Sequence, residues 1–109
     1  MIDIKEYLTS EGRSPFAEWF ADLDRQASVK VSAAAVRLGN ENFSCVKGVG
    51  EGVFEYKLDY GPGYRMYFGK DGSQIIILLA GGTKKRQNAD IKDAKAYWKD
   101  YKFRKKQES

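Results

Sequence analysis

The 109-residue sequence contains no histidine, one cysteine, two prolines and no long apolar run. The missing histidine excludes imidazole metal sites and histidine acid–base catalysis, so any proton transfer falls to Lys, Arg, Tyr, Asp or Glu. Neither a metal nor a cofactor is expected. The lone Cys45 excludes an internal disulfide and suits a reducing compartment. With no imidazole to activate it, it is expected to be a small buried hydrophobe ahead of a reactive nucleophile. The longest apolar run, Ile75 to Ala80, is too short to span a bilayer. Met1-Ile-Asp-Ile-Lys-Glu-Tyr7 lacks the apolar core of a signal peptide. A cytoplasmic protein with no membrane partner is the expectation.

What is present is aromatic and asymmetrically charged. Seven Tyr, six Phe and two Trp can do much of the core filling in one domain spanning residues 1–109. Residues 1–60 carry 7 Lys/Arg against 10 Asp/Glu, whereas residues 61–109 carry 12 against 5. A positive half is the footprint of a nucleic-acid or other polyanion binder. Part of that charge is also expected in a frayed basic tail over residues 103–109.

Ile2 and Ile4, followed by Tyr7, alternate with charged residues and suggest a first strand. Ser14-Pro15 opens a helix carrying Phe16, Trp19, Phe20 and Leu23 on one face. A second helix is expected from about Asp24 to Leu38, with Val29, Ala33 and Val36 inward and Gly39-Asn40 as its stop, so that the two form a hairpin. After a loop from Asn40 to Gly52, the period changes to two. Phe54, Tyr56, Leu58 and Tyr60 would face a core, and Val53, Glu55, Lys57 and Asp59 would face outward. Gly61-Pro-Gly63 and Lys70-Asp-Gly72 read as hairpin turns around a strand from Tyr64 to Gly69. Gln74 to Ala80 reads as a central strand, and Ile91, Ala94, Trp98 and Tyr101 mark a last helix. The expected fold class is α+β: a small antiparallel sheet of three to five strands packed against an N-terminal helical hairpin and a C-terminal helix.

Strand parity gathers the polar residues. If the turn at Gly61-Pro-Gly63 keeps Arg65 and Tyr67 on the face of Glu55, Arg65 lies beside Glu55 and Lys57. The next strand ends on Gly81-Gly82, from which Lys84, Lys85 and Arg86 emerge ahead of Gln87. A phosphodiester suits such a cluster, since guanidinium offers a fork and lysine a point charge. A solvated basic face with an ordinary Glu55–Arg65 ion pair fits the same residues. Three cations at a helix start oppose its dipole, which tilts the choice toward binding.

Several segments, taken in order, resemble the RelE/ParE superfamily of bacterial and phage toxins, and most closely its HigB-like, phage-derived addiction-module branch. They are Ser14-Pro-Phe-Ala-Glu-Trp19, Gly52-Val-Phe-Glu-Tyr-Lys57, Gly61-Pro-Gly-Tyr-Arg65 with Tyr67, and Gly81-Gly-Thr-Lys84 with Gln87 and Asp90-Ile91. The resemblance implies a RelE-like fold and a type II toxin that inhibits translation by cutting ribosome-bound mRNA without a metal. It also implies neutralisation by a helix-turn-helix antitoxin, with which the chain would form a hetero-oligomer. Under it, Arg65 matches a phosphate-stabilising arginine and Lys84 the cation after the Gly-Gly pair. Lys57 takes the place of an arginine in the close branch, and Glu55 is the acidic residue that orients Lys57 or Arg65 or acts as base. Lys85, Arg86, Gln87 and Tyr67 would contact RNA. Thr83 replaces an acidic residue of the branch, and Lys85-Arg86 replace small polar ones. The superfamily also contains ParE-like toxins that poison DNA gyrase without RNA chemistry. A module that binds RNA or antitoxin and cleaves nothing is the remaining alternative.

Overall fold

The computed structural model describes residues 1–108. It is an α+β protein in the order β1 (Asp3–Glu6), α1 (Pro15–Ala21), α2 (Arg25–Gly39), β2 (Val46–Gly50), β3 (Val53–Lys57), β4 (Arg65–Asp71), β5 (Ile75–Gly82) and α3 (Gln87–Glu108), with a 3-10 turn at Lys84–Arg86. The five strands form one sheet in the order β1-β5-β4-β3-β2.

The helix starts follow local chemistry. Ser14 Oγ accepts from the Ala17 amide at 3.0 Å with Pro15 at the first helical position, and Asp24 Oδ1 accepts from the Ala27 amide at 2.8 Å. Each side chain satisfies an amide that has no partner within its own helix. In the turn before β4, the Gly63 amide donates to Tyr60 O at 3.1 Å. Gly61 and Gly63 have φ of 57° and 77°, a region that glycine enters without a steric penalty.

Several expectations are corrected. The sheet is mixed, because β1 pairs with β5 in parallel while the other pairs are antiparallel. The supposed loop from Asn40 to Gly52 contains β2, a short edge strand whose glycines and bulge near Gly48–Gly50 interrupt its alternation. In α2 the buried stripe is Ala27, Val31, Ala34 and Leu38, whereas Val29 and Val36 are exposed. Both stripes have helical spacing; the one with small alanines and Leu38 lets the helix approach the sheet closely. Cys45 is exposed rather than buried, because it precedes the edge strand β2 at the rim of the sheet.

The sheet is also covered on both faces, which corrects the outward-facing assignment of Val53 and Glu55. One core joins Phe16, Val31, Leu38, Tyr56, Met66 and Phe68, with α1 lying chiefly against β5. The other joins Val53, Tyr67, Ile77 and Leu79 to Ala94 and Trp98 of α3. Trp98 stacks on Tyr101 with ring centroids 5.2 Å apart. The basic stretch expected to fray is helical through Glu108. Among the described residues, no helix is long and apolar enough to cross a membrane.

Candidate functional site

The candidate residues meet where β3, β4 and β5 end side by side. Lys57 is in register with Arg65, and Arg65 with Gly82, so β3 and β4 set two cations in one row that ends on a glycine of β5. One step back, Glu55 pairs with Tyr67, and on the outer side Lys47 of β2 stands opposite Glu55. The sequence-based parity is correct here: Glu55, Lys57, Arg65 and Tyr67 share a face. That face lies under the start of α3 and not in solvent.

Burial divides the row into two sets. Glu55 is 1% exposed and Arg65 4%. Arg65 Nε lies 3.5 Å from Glu55 Oε2, and Arg65 Nη1 donates to Gly63 O at 2.6 Å. Gln87, from the first turn of α3, donates to Glu55 Oε2 at 2.9 Å, and Lys47 Nζ approaches Glu55 Oε1 at 3.7 Å. Arg65 is thus clamped between a carboxylate and a turn carbonyl. Tyr67 is fully buried, so its hydroxyl does not reach the surface in this conformation. Lys57, Lys84, Lys85 and Arg86 are exposed around this buried centre.

The loop that carries Lys84 is tied down by backbone, with the Lys84 amide donating to Pro62 O at 3.3 Å. This joins the Gly61-Pro-Gly63 turn to the end of β5. Arg86 leans back to Asp90, Nε to Oδ1 3.7 Å. That contact offsets part of the cost of cations ahead of a helix N-terminus.

Asp90 was not read from the sequence as a site residue. It is buried directly over Gly82, where a Cβ would overlap its Oδ2. At Gly81 a Cβ would run into the Trp19 ring. The paired glycines therefore let α1 approach one face of β5 and Asp90 the other. Lys47 was missed as well, because β2 was not legible as a strand.

Four buried polar atoms at this centre make no hydrogen bond: Glu55 Oε1, Arg65 Nε, Tyr67 OH and Asp90 Oδ2. Burial, followed by the charge of Glu55, raises the Tyr67 phenol above its ordinary range. Burial also raises the Asp90 carboxyl, with Arg86 opposing it. The centre thus concentrates incompletely satisfied charge at low dielectric, a common property of sites that meet a ligand. No group of three or more Cys, Asp or Glu side chains is placed to hold a metal among the described residues.

No protein-family model matches the chain. It is 40% identical over 95 residues to an uncharacterized protein of Haemophilus influenzae, an alignment covering 86% of this chain and 90% of the relative. At that identity and coverage, the chain belongs to the same protein family as the Haemophilus influenzae protein.

Proposed function

We propose that the chain is the toxin of a type II toxin–antitoxin pair, acting as a metal-independent, ribosome-dependent mRNA endoribonuclease in the cytoplasm. The two N-terminal helices are read as the hairpin of a RelE-like fold. The observation that carries this reading is the register Lys57–Arg65–Gly82, which brings strand-borne cations to one sheet end beneath the loop bearing Lys84. In the reaction, an RNA 2′-hydroxyl would give up its proton to water and bond to the adjacent phosphorus as the P–O5′ bond breaks, leaving a 2′,3′-cyclic phosphate and a 5′ oxygen that takes up a proton from water. Lys57 and Lys84 would stabilise charge on the phosphoryl oxygens, with Arg65 positioned behind them by Glu55. A helix-turn-helix antitoxin would be its partner.

A second reading is favoured by the burial of Arg65, Glu55 and Tyr67: a module that binds RNA or its antitoxin without cleaving. Growth assays with Lys57→Gln/Lys84→Gln test the first reading, because both side chains are exposed and their loss leaves the buried clamp intact. Toxin action predicts growth arrest by the wild-type chain and its loss in the double variant. Full toxicity of a folded double variant would refute the assigned site. Arrested replication with uncut message would instead favour gyrase poisoning.

A further inference from the structure

Beyond the Arg65 centre, α3 carries Lys92, Lys95, Lys99, Lys102 and Lys106 at spacings of three and four residues. At about 100° per residue these fall within an arc of about 80°, and the row is about 21 Å long. Asp93, Asp100 and Arg104 lie on the other flank of the helix, where Arg104 bonds Asp100. Beside the row, Glu51 Oε2 is 3.5 Å from Lys95 Nζ. Lys102 Nζ sits 5.7 Å from the Trp98 ring centroid. Lys70, at the far end of β4 from Arg65, lines a groove with Lys102 and Lys106, and Asp71 lines it too. Like charges at these helical spacings destabilise the helix, so the row carries a cost that a polyanion would offset.

We infer that this lysine row is a second RNA contact, holding a phosphate backbone along α3 while the Arg65 end of the sheet takes the scissile strand. The inference rests on the reading that RNA is the target, but not on cleavage. A straight row of point charges on a rigid helix suits backbone contacts without base readout. An anionic membrane fits less well. A helix lying in a bilayer interface needs an apolar face to insert, whereas Ala94 and Trp98 are buried against the sheet. Phe103 is the one large apolar side chain of α3 that is well exposed.

Fluorescence anisotropy with a labelled duplex RNA of about 20 base pairs, titrated across salt, tests this. Lys92→Gln/Lys99→Gln/Lys102→Gln alters only exposed positions, and an unchanged thermal melt checks that it folds. The triple variant should lower the log K against log salt slope by about 2–3 and weaken binding by about tenfold near 0.1 M salt. Lys57→Gln/Lys84→Gln should keep most of the duplex affinity while losing toxicity. Wild-type affinity in the triple variant would overturn the inference. So would a wild-type chain that binds phosphatidylserine vesicles and no RNA. If the triple variant loses RNA binding but Lys57→Gln/Lys84→Gln stays toxic, the cleavage site is wrong and the lysine row stands. The opposite pair of results removes the lysine row and leaves the toxin reading intact.

Discussion

Arg65 Nε lies 3.5 Å from Glu55 Oε2, with 5% and 0% of the two side chains exposed. Breaking a buried pair from one side leaves an uncompensated charge, which is worse than lacking the pair altogether. Glu55→Ala should therefore cost about 3–5 kcal/mol in denaturant unfolding. The double variant Glu55→Ala/Arg65→Ala should lose less than the sum of the two single changes. Strict additivity would mean the two residues are not coupled. Arg65→Ala alone is consequently a poor probe of function, since it perturbs the fold as well as any site.

Asp90 should respond to pH in a defined direction. Its carboxyl is raised in the fold by burial, so its contribution is most favourable below the ordinary aspartate range and declines as pH rises through the raised value. Asp90→Asn removes the buried charge and should raise the melting temperature at neutral pH. That gain should shrink as the pH falls toward 3.8, the ordinary Asp value. A gain that persisted unchanged in acid would point to packing rather than ionisation.

The Tyr67 hydroxyl is buried beside the Glu55 carboxylate and makes no hydrogen bond of normal geometry. Deleting an unsatisfied buried hydroxyl relieves its desolvation cost, and the ring keeps its packing against Ala94 and Trp98 in the same core. Tyr67→Phe should be neutral or stabilising by up to about 1–3 kcal/mol. Calorimetry that found a clear loss would reveal a partner for that oxygen.

These residues also mark how far the sequence was legible. The cap at Ser14, the period-two run from Val53, and the Ile91–Ala94–Trp98 face are local patterns, and each led to the right element. Strand parity also grouped Glu55, Lys57, Arg65 and Tyr67 correctly. What depended on tertiary placement was not legible. Glu55 looked solvated until α3 was seen to cover it. β2 was hidden by Gly48 and Gly50, and with it Lys47. The parallel pairing of β1 with β5 joins segments about seventy residues apart. In α2 two stripes had equal periodicity, and only the sheet beneath selects between them. Asp90 could have been suspected from Gly81-Gly82, since adjacent glycines on an apolar strand signal close approach.

That approach has its own consequence. A Cβ at Gly82 would overlap Asp90 Oδ2, so Gly82→Ala should destabilise by about 1–3 kcal/mol through overpacking. Adding Asp90→Ala should recover part of the loss, because it empties the space the methyl needs. Thermal melts of the single and double variants check this. No recovery would place the strain in the β5 backbone instead.

The central claim is that the exposed cations around Arg65 act on ribosome-bound message. Primer extension on mRNA from cells expressing the chain tests it most directly, with Lys57→Gln/Lys84→Gln as the paired control. Toxin action predicts discrete breaks at the ribosomal A site that appear on induction and vanish in the double variant. Intact message under growth arrest, or identical breaks from the variant, would contradict it.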